Sequence, residues 1–269
     1  MKEKRGQVTI FIIIAVILIA LVAIAFIYIP GIRPDFGEET KTPDSFIENC
    51  LEEKIEDTVD ILSLQGGSVD PEFFILYQNN KVEYLCYTNE YYKPCVLQQP
   101  MLKTHVEEEI KIEILEEVGA CFNALKNNYE EQGYGVSMTP GETNVELLPE
   151  RLVTTFGYSV TLSKESTDEY NNFDVVLNND LYGLVSIANS ILQFEMAVGD
   201  ADQNLYMDLY SDLKTEKWTE SDGTAIYTLT DRDTENKFIF ASRSIVWPAG
   251  LGDVDDLQDP EDIPGAGTN

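Results

Sequence analysis

Basic side chains are scarce in this sequence of 269 residues. Lys and Arg number 18 against 48 Asp and Glu, which gives a formal net charge of −30 at pH 7. Because proteins bind a nucleic acid backbone through clustered cations, this balance excludes a nucleic acid partner. Apolar residues still make up 43% of the chain. The sequence can therefore bury the core of one large or two small domains.

Histidine and closely spaced cysteines are also rare, which limits catalysis and metal binding. His105 is the one histidine, and its place beside three glutamates in the first turn of a predicted helix indicates an exposed polar residue. The sequence has no Cys-x-x-Cys pair, nucleophile elbow, phosphate-binding glycine loop or zinc-protease helix. The sequence therefore predicts no catalytic residue, no cofactor and no metal site. We expect that the protein is not an enzyme.

The many acidic residues leave two alternatives open. Asp200-Ala201-Asp202 begins like a calcium loop, but Leu205 stands where the turn needs Gly and Ser211 where a bidentate Glu is expected. The aspartates of residues 253–259 could hold Ca²⁺ loosely, although a solvated tail explains them equally well. A hydrolase with paired carboxyl groups would need a deep pocket in which both have raised pKa values.

The longest apolar run lies near the N-terminus. Residues 8–29 are 22 positions without a charge, and as a helix they would extend about 33 Å and span a bilayer. Lys2, Lys4 and Arg5 precede this run, and the segment that follows is acidic. The positive-inside rule therefore predicts a single-pass anchor in membrane lipid, with the N-terminus cytoplasmic and the remainder extracytoplasmic.

A cleavable secretory signal is the competing interpretation of the same run. Ala23-Ile24-Ala25 has the small-x-small pattern that a signal peptidase recognises. We favour the anchor, because the run continues to Ile29 and exceeds the usual apolar stretch of about 7 to 15 residues in a signal.

Residues 4–11 read Lys-Arg-Gly-Gln-Val-Thr-Ile-Phe. This stretch resembles the class III signal of archaeal type IV pilin-like proteins, and the resemblance implies cleavage between Gly6 and Gln7 by a prepilin peptidase. Two features depart from a filament subunit. Phe11 stands where bacterial-type pilins carry Glu, and Pro30 interrupts the helix at the membrane edge. The whole chain looks like single-pass surface proteins of small-genome archaea, a resemblance that implies no activity.

Three helices are predicted in the exposed part. Ser45 to Glu48 and Thr104 to Glu107 both fit a capping box followed by apolar residues at helical spacing. Gln65-Gly66-Gly67 supplies the end of the first helix. Apolar residues between Leu181 and Met196 predict the third, with Asn179 or Asp180 as its N-cap.

Alternating and short apolar segments predict an antiparallel sheet. Strands are expected on both sides of Asn79-Asn80, through residues 135–178, and on both sides of Asp222-Gly223, where the turn signal is strongest. A last strand is expected at residues 237–242. The fold class is therefore α+β, with amphipathic helices and antiparallel sheet following the transmembrane helix.

Composition divides the chain into six predicted segments. They are a basic cytoplasmic N-terminus at 1–7, a transmembrane helix at 8–29, a tether at 30–43, a cysteine-containing helix-hairpin-helix subdomain at 44–134, an α+β subdomain at 135–247 and an acidic disordered tail at 248–269.

All four cysteines fall on the extracytoplasmic side of this topology, which favours two disulfides. Three pairings exist. We favour Cys86 with Cys95, which closes a short loop, and Cys50 with Cys121, because these two lie at or beside the apolar faces of two helices expected to pack together. The alternatives are a zinc ion held by four thiolates, which the wide spacing disfavours, and free buried thiols.

Tyr91 and Tyr92 lie inside the predicted Cys86–Cys95 loop. Tyrosine offers a large contact area at little entropic cost, so the pair is a candidate contact for a protein or glycan partner outside the cell. The alternative is that the rings cover the hairpin.

The sequence thus predicts a membrane-anchored extracytoplasmic protein with a structural or binding role. A processed pilin-like filament subunit and a tethered carboxylate hydrolase are the alternatives.

Overall fold

The structure is a computed structural model, and it describes residues 42–246. The predicted cytoplasmic segment, transmembrane helix, most of the tether and the acidic tail lie outside these residues, as do Gly6 and Gln7. The described residues from Pro43 onward form one compact unit.

Four helices occur in the described part of the chain: α1 at Pro43–Ser63, α2 at Leu102–Glu131, α3 at Leu181–Val198 and α4 at Gln203–Leu209. The first three were predicted from apolar periodicity. The short α4 was not; its N-cap is Asp202, whose carboxylate accepts a hydrogen bond from the backbone N–H of Asn204.

Both predicted capping boxes are wrong. Helix α1 begins at Pro43 rather than at Ser45, and Pro suits a first helical turn because it lacks an N–H that would need a partner. Helix α2 begins at Leu102, and its N-cap Met101 makes no side-chain cap. Glu107 instead pairs with Lys103 and accepts a hydrogen bond from the backbone N–H of Leu147.

A six-stranded sheet contains β1 (Phe74–Tyr77), β2 (Asn80–Tyr87), β3 (Val96–Leu97), β8 (Leu213–Thr219), β9 (Thr224–Asp231) and β10 (Lys237–Arg243). The strand order is β1-β2-β10-β9-β8, and β3 pairs with β2. All pairs are antiparallel except β2 with β10, which is parallel and was not predicted. The β1–β2 turn has positive φ at Gln78 and Asn79, one residue earlier than expected.

A four-stranded antiparallel sheet contains β4 (Gly135–Thr139), β5 (Thr143–Leu148), β6 (Arg151–Ser163) and β7 (Thr167–Asn178). The long strand β6 pairs with the other three. The predicted α+β class with antiparallel sheet is therefore confirmed.

Helices α1 and α3 each contact strands of both sheets, whereas α2 packs on the four-stranded sheet and α4 on β8. The larger apolar core extends through the helices and both sheets, with Leu51, Phe122, Phe156 and Phe240 among its fully buried members. A second, smaller cluster of Val82, Tyr84, Ile226, Ile239 and Ala241 packs against Ile75 and Tyr77 of β1. The boundary expected between residues 134 and 135 thus falls inside the larger core.

Within residues 42–246, α3 is the one helix with the length and mean hydropathy of a membrane span, 18 residues and 1.3. Its buried residues include Leu184, Ala188 and Leu192. A core helix packed between two sheets has the same composition, so this finding does not bear on the predicted N-terminal anchor.

Candidate functional site

The face of the six-stranded sheet that turns away from the helices carries a groove of about 730 Å³. Side chains along β8 alternate between buried and exposed, as expected where one sheet face packs on a core and the other meets solvent. The volume lies in the range of about 300–1,000 Å³ typical of ligand pockets. We call this cavity the sheet groove, and its floor is formed by Trp218, Ile226, Thr228, Thr230, Lys237 and Ile239.

Strand register places the outward side chains in three rows across β8, β9 and β10. The rows are Trp218, Ile226 and Ala241; Glu216, Thr228 and Ile239; and Lys214, Thr230 and Lys237. The first row is apolar, and Trp218 is its exposed member, because Ile226 and Ala241 are buried. The third row is polar. These two rows are four residues apart along the strands, which corresponds to about 13 Å. The sheet groove is therefore amphipathic along its length.

Trp218 presents an oriented ring at the apolar end. The residue is 56% exposed, and its indole N–H donates a hydrogen bond to Glu220 Oε1 at 2.9 Å. This bond restricts the ring, so a ligand that stacks on Trp218 would lose little side-chain entropy on binding. The β1–β2 turn contributes polar lining through Tyr77, Gln78 and Asn80.

Charges in the sheet groove are balanced. Lys214 Nζ lies 2.8 Å from Glu216 Oε2, and Lys237 and Glu235 also line the cavity. Lys217 belongs to the lining as well, but its side chain is largely buried and paired with Asp200. Two accessible cations thus face two carboxylates in a chain whose net charge is −30.

The β8–β9 turn fixes the Trp218 end of the groove. Gly223 has φ +88, and a Cβ there would lie 2.5 Å from the backbone oxygen of Ser244. Burial alone would raise the pKa of Asp222. Hydrogen bonds from the backbone N–H and the hydroxyl of Thr224 have the opposite effect, as does the charge of Arg243, and the pKa lies below its usual value. The turn therefore holds an ionised aspartate against Arg243.

A polar cluster around Ser68 ties α2 to β2. Ser68 Oγ lies 2.5 Å from Glu83 Oε2 and 2.8 Å from His105 Nε2, and the backbone N–H of Val69 donates to Glu109. Burial raises the pKa of Glu83, against the opposing effects of the Ser68 hydrogen bond and the His105 charge. His105 is thus half-buried and hydrogen-bonded, not the exposed residue we expected.

This serine–histidine pair is not built like a hydrolytic site. Ser68 is buried, and its hydroxyl is held between an imidazole and a carboxylate. Ser68 does not belong to the lining of the sheet groove. The cluster holds the segment between α1 and β1 against α2.

A second buried polar cluster surrounds Glu195 on α3. Its carboxylate accepts hydrogen bonds from the Tyr227 hydroxyl, from Ser244 Oγ at 3.3 Å and from the backbone N–H of Ala201 at 3.1 Å. Lys217 Nζ lies 3.8 Å away. These contacts join α3 to the inner side of the strands whose outer side forms the sheet groove.

The carboxyl pair that best fits the hydrolase alternative is Asp180 and Asp231, which line a cavity of about 430 Å³. Burial, with the charge of Asp231, raises the pKa of Asp180. For Asp231, hydrogen bonds from Thr234 and Asp233 outweigh burial and lower the pKa. Only one of the two pKa values is raised. Asp231 Oδ1 is occupied by its own turn, so the expected pair is not formed here.

Both predicted disulfides form. Cys50 and Cys121 join α1 to α2 with a Cα–Cα distance of 6.0 Å, and Cys86 and Cys95 close the short loop with 5.3 Å. Tyr91 and Tyr92 lie in that loop and are 63% and 69% exposed. Their rings do not cover the hairpin, and their role as a partner contact stays a prediction.

Sequence reasoning missed the sheet groove. The segment Leu213–Thr219 shows no apolar alternation in the sequence, because Thr215 and Lys217 point inward and Trp218 points outward. The register that aligns this strand with β9 and β10 is known only from the folded structure.

In the described part of the chain, no group of three or more His, Cys, Asp or Glu residues is placed to hold a metal ion.

Comparisons of this chain with models of protein families, with curated proteins and with solved structures found no match.

Proposed function

We propose that this chain is a single-pass surface protein whose disulfide-bonded domain binds a ligand outside the cytoplasm. Residues 8–29 would anchor it in lipid, with the N-terminus cytoplasmic. The observation that carries the proposal is the pair of disulfides in the domain that follows the apolar run, because such bonds persist in oxidising compartments and are rare in the cytosol.

The sheet groove supports a binding role. It combines an oriented, exposed indole with polar groups at the far end, a combination typical of ligand sites. The serine–histidine pair is enclosed and the Asp180–Asp231 pair is engaged locally, so neither offers a comparable argument for catalysis. Tyr91 and Tyr92 are a second candidate contact surface on the same domain.

Protease treatment of intact cells tests the topology. We expect added protease to remove the domain from whole cells and to leave a membrane-bound N-terminal fragment, with both disulfides recovered by mass mapping under non-reducing conditions. A cytoplasmic marker serves as the control for cell integrity. Full protection until lysis, or four free thiols in freshly trapped protein, would contradict the proposal.

A processed, pilin-like surface subunit is the second candidate, favoured by the Lys4-Arg5-Gly6-Gln7 sequence. Cleavage would leave Gln7 as the first residue. Mass spectrometry of the N-terminal peptide from native membranes separates the two candidates: a start at Gln7 favours processing, whereas Met1 or Lys2 favours an unprocessed anchor. Blocking the cut with Gly6→Leu provides the control.

A further inference from the structure

We propose that the sheet groove binds an uncharged oligosaccharide, with one sugar ring stacked on Trp218. This inference rests on the proposed binding role of the groove and names its ligand class. Three independent features of the groove support it.

The first feature is the shape of the apolar end. Trp218 is held by Glu220 and is 56% exposed, whereas its row neighbour Ile226 is 2% exposed and packs in an apolar cluster with Tyr84. A sugar ring has a face of C–H groups that packs on a flat aromatic surface while its hydroxyls point sideways. An indole fixed at the rim of a groove suits that geometry.

The second feature is the mixture of donors and acceptors beyond Trp218. Thr228 and Thr230 offer hydroxyls, Gln78 and Asn80 offer amides, and the two accessible lysines and two glutamates add donors and acceptors respectively. A polyhydroxylated ligand needs both kinds of partner. The distance of about 13 Å between the first and third rows suits several linked sugars better than a single ring.

The third feature is charge. Lys214 is paired with Glu216, and Glu235 offsets Lys237, so the cavity offers no net charge to a ligand. An anionic ligand would also have to approach a chain of net charge −30. A cationic ligand would meet lysines on the polar row. The balance therefore favours an uncharged occupant.

The test uses the full chain in phosphatidylcholine vesicles, because alkyl maltoside detergents carry a sugar headgroup and nanodisc scaffold proteins contain tryptophan. A Trp247→Phe background leaves Trp218 as the only tryptophan of the sample, so its fluorescence reports directly on the groove. The neutral probes are maltohexaose, cellohexaose, mannohexaose and the hexamer of N-acetylglucosamine. Hexagalacturonate, hexaglutamate and hexalysine test charged occupants.

We expect at least one neutral probe to change Trp218 fluorescence saturably and with little dependence on salt. Calorimetry should show Trp218→Ala weakening that binding about thirtyfold or more, as for a central aromatic contact. Thr228→Val, which keeps the shape and removes a hydroxyl, should weaken it about threefold to tenfold. The matched control is Phe194→Ala, which removes a 45% exposed aromatic ring on α3, outside the groove lining, and should leave binding unchanged.

Binding of none of the neutral probes would overturn the inference, as would binding of charged probes only. Neutral binding that survives Trp218→Ala, in protein whose circular dichroism is unchanged, would also overturn it. The location experiment is independent. Protease-accessible protein without saccharide binding refutes the ligand class alone, whereas saccharide binding by a protease-protected domain refutes the surface location alone.

Discussion

The hydroxyl of Tyr227 donates a hydrogen bond to the carboxylate of Glu195 in the interior between α3 and β9. Glu195 is 1% exposed, and Tyr227 is among the largest fully buried side chains. Burial raises the pKa of Tyr227, and the neighbouring charge and hydrogen bond of Glu195 raise it further. These effects favour the protonated phenol, which is the form that donates to Glu195.

Tyr227→Phe should lower the free energy of unfolding by about 1.5–3 kcal/mol, because a buried carboxylate loses one of its donors. Urea unfolding at neutral pH measures the loss. Tyr84→Phe is the control, since its hydroxyl pairs with the uncharged hydroxyl of Thr224 at 3.2 Å, and we expect the smaller effect there. Equal losses in the two variants would show that the Glu195 contact contributes nothing specific.

Removing the disulfides should reveal unequal contributions. The Cys50–Cys121 bond spans 71 residues and the Cys86–Cys95 bond spans 9, for which chain entropy predicts about 4.4 and about 2.7 kcal/mol respectively. We expect Cys50→Ser/Cys121→Ser to lower the unfolding midpoint in urea more than Cys86→Ser/Cys95→Ser. The reverse order would show that packing around the short loop dominates.

The raised pKa of Glu83 predicts a pH dependence of stability. A group whose pKa is higher in the folded state stabilises below its unfolded pKa, and that contribution is lost as pH rises through the folded value. Glu83→Gln removes this titration and keeps an oxygen that can accept from Ser68. The stability of the wild type relative to this variant should therefore fall as pH rises from about 4 toward neutrality.

The lone histidine reports on the same event. His105 is joined to Glu83 through Ser68, and Glu109 also lies near this carboxyl group. The imidazole NMR signals should therefore shift when Glu83 ionises, and this step should be missing in Glu83→Gln. An unchanged titration curve in the variant would contradict the coupling.

Two glycines should respond in opposite directions to the same substitution. Gly223→Ala places a side chain at positive φ and against the Ser244 backbone, so we expect a loss of about 1–3 kcal/mol and a disturbed Trp218 environment. Gly119 lies within α2 with open space around it, so Gly119→Ala should add about 0.5–1 kcal/mol. Thermal melts of the two variants provide the comparison.

Local patterns predicted most of the fold. Apolar spacing identified α1, α2 and α3, and the Asp222-Gly223 signal identified the β8–β9 hairpin. The first residues of the helices were harder to predict. Helix α1 begins at Pro43 and α2 at Leu102, whereas the sequence suggests N-caps at Ser45 and Thr104. The β2–β10 pairing could not be predicted from the sequence, since it joins strands some 150 positions apart and depends on the packing of the whole core.

The candidate site was harder to predict from the sequence than the fold. Cys50 and Cys121 could be paired because each lies at or beside an apolar helix face. His105, in contrast, was placed by helix position alone, and its partner Ser68 comes from a turn whose path no local pattern fixes. Trp218 belongs to a site only because strand register sets it beside Ile226 and across from the β1–β2 turn.

The bond between Cys50 and Cys121 has a mechanical consequence. A force applied at Pro43 passes into α2 seven positions later, at Cys50, so the segment between the two cysteines, which are 71 positions apart, cannot be extended while the sulfurs stay joined. That segment amounts to roughly 250 Å of extensible chain. Stretching the oxidised protein between residues 43 and 246 would therefore lengthen it by roughly 250 Å less than the same protein with this bond reduced.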